Sequence, residues 1–167
     1  VILTGGDPLV LSPRRIKHIM QRLAAFEHVK IIRIHTRIPA ADPQRITGEL
    51  CESLTDTQDK PVYVAVHINH PDEITPEFTN AIALLQQHGV EILSQSVLLK
   101  GINNDSAILE ELFRKLVALK IRPYEIHHPD MTKGTSHFRI SIAEGQTIVR
   151  KLRGRLSGLC QPHYMLD

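Results

Sequence analysis

Six places in the chain set chemically capable residues behind a run of apolar ones. The first is Gly5-Gly6-Asp7, directly after Val1-Ile2-Leu3. A glycine pair lets backbone approach a ligand closely, and a carboxylate beside it can receive an amino group; a tight βα turn with a solvated Asp is the plainer alternative. Arg37, after Val29–Ile34, and Arg45 could pin a carboxylate or phosphate, although a single Arg behind a strand serves as readily in a surface or structural ion pair. His67 and His70 end the run Val62–Val66, and His127-His128 ends Arg122–Ile126. Two histidines so close in an extended segment bind one metal poorly without further ligands, so His67 suits hydrogen bonding, or a structural role, better than metal. Gln95 lies inside an apolar strand, where an unpartnered amide costs about 1–3 kcal/mol. Asp130 and Asp167 follow the last two extended runs and could hold an ammonium group, or cap helices and loops.

These residues need a scaffold that presents strand ends side by side. Ser12-Pro13 opens a helix to about Phe26 with Ile16, Ile19, Met20 and Leu23 on one face. Pro43 blocks an early helix, and 47–54 forms a short one. Thr75-Pro76 starts a helix that Gly89 stops; 90–99 is a fourth strand; a long helix from 103–106 buries Ile108, Leu112, Leu116 and Leu119. Ser141 and Glu144 form a capping box for a helix that ends at Gly154, and 159–166 is extended again. Strand and helix alternate five times with a last extended piece, which implies parallel strands with outer helices. Polar residues at every strand end (Asp7, Arg37, His67, Gln95, Asp130, Asp167) favour a barrel rim over the single switch point of an open sheet.

The totals exclude several classes. A chain of 167 residues suits one domain, 1–167, that buries about two thirds of its unfolded surface. A formal charge of +2, from 20 basic and 18 acidic residues, gives no electrostatic footprint for nucleic acid or an anionic membrane. No apolar run is long enough to span a bilayer, which reads as a soluble cytoplasmic protein. Cys51 and Cys160 stand far apart, against a disulfide framework or a metal cluster. There is no Ser-His-Asp order, phosphate-binding Walker loop or dinucleotide fingerprint, which argues against a hydrolase. Both ends read as cut within structure, so the chain is expected to be the central piece of a longer protein.

Longer strings carry a resemblance. Thr-Gly-Gly-Asp-Pro-Leu at 4–9, Thr-Arg-Ile-Pro at 36–39 with Pro-Gln-Arg-Ile-Thr at 43–47, and His-Ile-Asn-His-Pro-Asp-Glu-Ile-Thr at 67–75 are similar to the lysine 2,3-aminomutase family of radical S-adenosylmethionine (SAM) enzymes. So are Gln-Ser-Val-Leu-Leu-Lys-Gly-Ile-Asn at 95–103, Arg-Pro-Tyr at 122–124, His-Phe-Arg at 137–139 and Leu-Arg-Gly-Arg-Leu-Ser-Gly at 152–158. The resemblance implies a partial (β/α)6 barrel and three cofactors: a [4Fe-4S] cluster, SAM and pyridoxal phosphate (PLP). It implies an isomerase that moves the amino group of L-lysine from the α- to the β-carbon by radical chemistry. An electron donor would be a partner, and a homo-oligomer is compatible with it. By the same resemblance Gly5, Gly6 and Asp7 lie against the methionyl amino group of SAM, His67 and Gln95 line the SAM side, and Asp130 and Asp167 grip the substrate's distal ammonium. Arg37 and Arg45 remain candidate anion-binding residues. Arginine, or a lysine destined for modification of an elongation factor, are alternative substrates, and a non-catalytic barrel that binds a partner is the alternative class. The family's three-cysteine cluster motif and PLP-bearing lysine have no counterpart in these residues, so the piece by itself is expected to lack catalytic residues, metal ligands and activity.

Overall fold

A computed structural model describes residues 1–57 and 59–166. Six strands, β1 (Ile2–Leu3), β2 (Ile32–Thr36), β3 (Val62–His67), β4 (Glu91–Val97), β5 (Arg122–His127) and β6 (His163–Met165), follow one another in the sheet in chain order. Between them run α1 (Pro13–Ala24), α2 (Ile38–Ala41), α3 (Gly48–Thr55), α4 (Pro76–Gln87), α5 (Ser106–Ala118) and α6 (Ile142–Arg153). The chain forms two compact units: 1–67 with 75–93, and 68–74 with 94–167.

In the first unit β1, β2 and β3 pair in parallel, with Ile2 opposite Arg33 and Ile34 opposite Val64. The strands alternate: Ile32, Ile34, Thr36, Val62, Val64 and Val66 are buried, whereas Arg33, His35, Tyr63 and His67 are half-buried on the other face. The buried row joins Ile16, Met20, Leu50, Leu54, Phe78, Ile82 and Leu85 of the helices in the core. The helix signals act as their chemistry requires at Thr47 and Thr75, whose hydroxyls accept from Leu50 N and Phe78 N. Ser12 stands at the head of α1 but its side chain makes no capping bond.

In the second unit β5 and β6 pair in parallel, with Ile126 opposite Tyr164 and His127 opposite Met165. Ser94 and Ser96 are buried and Gln95 between them is half-buried, so Gln95 lies on the face that also carries Glu125 and His127. A buried asparagine pair ties the loops. Asn103 accepts from Leu99 N at 2.7 Å and donates to Asn69 O at 2.9 Å and Val97 O at 2.8 Å. Asn69 in turn accepts from Val97 N at 2.8 Å.

Several local expectations change. Residues 38–41 form α2, where Pro39 sits in the first turn and needs no N–H partner, so proline permits this helix. β2 begins at Ile32, and β4 ends at Val97 because Asn69 and Asn103 take the backbone groups that a longer ladder would use. Single 3-10 turns occupy 8–10, 71–73, 136–138 and 158–160. The capping box at Ser141 is half made: its hydroxyl accepts from Glu144 N, but the Glu144 carboxylate takes Asn104 Nδ2 at 3.2 Å.

Tyr164 lies against Gly145 of α6, and a Cβ at that glycine would run into its phenol oxygen and ring. Gly154, after α6, has open space. Gly145→Ala should therefore lower unfolding free energy by about 1–3 kcal/mol through overpacking, against the better helix propensity of Ala, whereas Gly154→Ala should be near neutral. Urea denaturation of the two variants checks this; equal stability would remove the close approach.

Candidate functional site

In the first unit the glycine turn is built by Asp7. Gly5 and Gly6 have φ of +85° and +47°, values that side chains disfavour, and no atom lies within 4 Å of where a Cβ would stand on either. Their backbone is therefore bare. Asp7 Oδ1 accepts from Thr36 Oγ1 at 2.6 Å and Leu9 N at 3.0 Å, and Oδ2 accepts from Arg37 N at 2.6 Å. Thr36 Oγ1 also accepts from Ile38 N at 3.0 Å, which fixes the start of α2. Three of the roughly four lone-pair positions of this carboxylate thus go to the chain's own donors. Asp7 shapes the turn, and what the turn offers a ligand is glycine backbone.

Arg37 is exposed, with its backbone N–H on Asp7. Arg45 places Nη2 2.7 Å from Val10 O and Nε 3.4 Å from Leu9 O, so its fork clamps the turn that follows Asp7. His67 is the last residue of β3 and half-buried. Cys51 is fully buried; burial, with the nearby Glu52 charge adding to it, pushes its thiol from 9.0 up to about 11.

In the second unit Gln95 lies within β4, two residues before its end, and its Nε2 stands 2.9 Å from His127 Nε2. Glu125 Oε2 is 3.4 Å from the same imidazole nitrogen, and both side chains are only 15% exposed. His128 points to the other face, with Nδ1 2.8 Å from Tyr164 Oη. Burial raises the Tyr164 phenol above its usual range, so the hydroxyl keeps its proton. His70 caps the turn at 71–73, its Nδ1 accepting from Asp72 N at 3.2 Å. None of these histidines is gathered into a metal site: no group of three His, Cys, Asp or Glu could hold an ion among the described residues. Asp130 is exposed in the loop after β5, and Asp167 lies outside the described residues. Residue types alone pointed to Gln95 and to His127 as a strand-end histidine, but not to Glu125 or Thr36. The available signals were a carboxylate and a histidine two apart in a strand, hence on one face, and a hydroxyl closing β2.

The chain is 41% identical over all 167 residues to L-lysine 2,3-aminomutase of Fusobacterium nucleatum, and spans 39% of that protein's length. The chain belongs to the lysine 2,3-aminomutase family. It is also 40% identical over 167 residues to glutamate 2,3-aminomutase of Clostridioides difficile, again spanning 39% of the relative. No protein-family model matches. In three dimensions it resembles a radical SAM methyltransferase from Sphaerobacter thermophilus, with a TM-score of 0.58 at 20% identity over 81% of this chain and 40% of that one. That likeness concerns the fold alone: parallel strands with intervening helices. Among the described residues no helix is long and apolar enough to cross a membrane.

Two outcomes follow from the first unit. Asp7→Asn supplies one acceptor where three donors converge, and should lower stability of the ligand-free protein by about 1–3 kcal/mol. A carboxylate reserved for ligand would leave ligand-free stability unchanged. Cys51 should resist alkylation at pH 8 in native protein and react once urea unfolds it. Because its folded pKa lies above its unfolded one, stability should fall as pH rises from 9 towards about 11, and Cys51→Ala should flatten that part of the profile.

Proposed function

We propose that the protein carrying this chain is a radical SAM isomerase that moves the amino group of L-lysine from the α- to the β-carbon. The observation that carries this reading is end-to-end identity with lysine 2,3-aminomutases over a turn whose glycine backbone is bare. SAM with a reduced [4Fe-4S] cluster supplies a carbon radical able to take a hydrogen from an unactivated carbon, and PLP supplies the carrier for the migrating nitrogen.

The residues of the chain fit SAM in a specific way. Gly5 and Gly6 lie open for the methionyl amino group, with carbonyls as acceptors and no side chain in between. Asp7 holds that turn from behind through Thr36, Leu9 and Arg37. His67 and Gln95 are each assigned to SAM as hydrogen-bonding groups. Arg45 keeps the clamp, and Arg37 is the exposed candidate for an anionic group. The described residues do not fit the cluster: both cysteines are buried and no ligand group forms among them. No residue of the chain is assigned to PLP. An electron donor and a cytoplasmic location belong to the same reading.

The choice of lysine rests on Asp130 and Asp167. A buried ammonium needs charge-assisted partners on more than one side, and two carboxylates meet that need for a cationic side chain, whereas an anionic one would be repelled. With cluster, SAM, PLP and a reductant, the full-length protein should convert lysine to β-lysine and leave glutamate untouched. Asp130→Asn should weaken lysine by about 2–5 kcal/mol in kcat/KM, the cost of leaving a desolvated charge unpaired. Chromatographic separation of the β-amino acid products measures both. Preference for arginine or glutamate, or an unaffected D130N variant, would overturn the substrate assignment.

A further inference from the structure

We propose that Arg139 is a positioning residue for Asp130: it ties down the loop between β5 and α6, so that the Asp130 carboxylate is held in place for the substrate's distal ammonium. The inference rests on the assignment of Asp130 to that ammonium. Asp130 is exposed, and its carboxylate makes no hydrogen bond or ion pair among the described residues. Nothing at the side chain fixes it, so its position is set by the backbone on either side. Placement matters here, because a binding group displaced by about 1 Å can cost on the order of 100-fold.

Each flank of Asp130 has an anchor two residues away. On the β5 side His128 N donates to Met165 O at 2.8 Å, and Nδ1 of the same histidine stands 2.8 Å from Tyr164 Oη, a bond that holds whichever of the two donates. On the α6 side three donors converge on one carbonyl. Thr132 O accepts from Arg139 Nη2 at 2.8 Å, from Thr135 Oγ1 at 2.8 Å and from Thr135 N at 3.4 Å. Thr135 heads the 3-10 turn at 136–138, but its hydroxyl makes no capping bond there. The two Thr135 bonds span three residues and only close a local turn, whereas Arg139 reaches back seven residues. Arg139 is itself fixed through its neighbours: Phe138 O accepts from Lys100 N at 2.8 Å, and Ile140 is buried. Its Nε is buried without a hydrogen-bond partner, so the guanidinium holds the loop through Nη2. Without that bond the turn keeps its shape and loses its place.

Calorimetric binding of lysine to the full-length protein, loaded with SAM and PLP and with its cluster oxidised so that no turnover occurs, tests this. Arg139→Met keeps the stem but removes the donors, and should weaken lysine about 10-fold; Arg139→Lys, which retains an N–H for Thr132 O, should stay within about 3-fold of wild type. Affinity for 2-aminohexanoate, which is lysine without the distal amine, should not change in Arg139→Met, whereas a general loosening of the unit would weaken both. In an Asp130→Asn background Arg139→Met should add less than about 2-fold, because its effect passes through the carboxylate. If Arg139→Met does not fold, Thr135→Val, which removes one donor to the same carbonyl, takes its place in the cycle with an expected loss of about 3-fold. If Asp130→Asn binds lysine as wild type does, the assignment of Asp130 fails and the inference with it. If Asp130→Asn weakens lysine but Arg139→Met binds it as wild type does, weakens 2-aminohexanoate equally, or adds its full factor on top of Asp130→Asn, the inference alone is overturned.

Discussion

Alternation along the strands is the constraint on which the rest depends. A side-chain period of two gives every strand one row for the core and one for the opposite face, and a slip of one residue would exchange them. In β2 the core row is Ile32, Ile34 and Thr36, so Arg33 and His35 must occupy the other face; in β5 the same rule sets Ile126 against Glu125 and His127. Cations, amides and carboxylates in half-buried strand positions cost free energy unless each finds a partner. The Gln95, His127 and Glu125 cluster shows the form this takes. A half-buried polar row of this kind is held only where its groups find partners within the chain.

Strand ends pose a second problem, since the ladder stops while backbone groups remain buried. The chain solves it with short side chains that imitate a neighbouring strand. Asn103, fully buried, satisfies Leu99 N, Val97 O and Asn69 O, and Glu73 Oε1 takes the N–H groups of Asn69 and His70 at 2.7 and 2.9 Å. Asp7 does the same for Leu9 and Arg37. Loops held this way are fixed without bulk, which leaves room beside them.

What could be read from the sequence follows the range of the interactions involved. The helices announced by Thr47, Thr75-Pro76 and Gly89 lie where local capping chemistry puts them, because every partner is within four residues. α2 was hidden because Pro43 reads as blocking an early helix, while the Thr36 hydroxyl that supports its first turn is legible only once Asp7 is known to hold it. The capping box at Ser141 was half right because Asn104, 40 residues earlier, competes for Glu144. Residues in the candidate site were visible singly by type. Their partners, Thr36 for Asp7 and His127 for Gln95, are 29 and 32 residues away and could not be paired from spacing.

The Gly-Gly-Asp turn shows why type and role must be separated. From sequence its carboxylate is the obvious reactive group, yet three hydrogen bonds from Leu9, Thr36 and Arg37 leave it little capacity for a ligand. The two glycines, which carry no functional group at all, are the part left bare. The division is economical in physical terms. A left-handed glycine pair is unstrained but floppy by itself, so it presents its carbonyls in one direction only if something rigid holds the next residue. A carboxylate whose partners all come from the chain is such a fixture, and it works whether or not ligand is present. On the proposed assignment, recognition at this turn is a property of backbone geometry, and the acidic residue acts on it from behind.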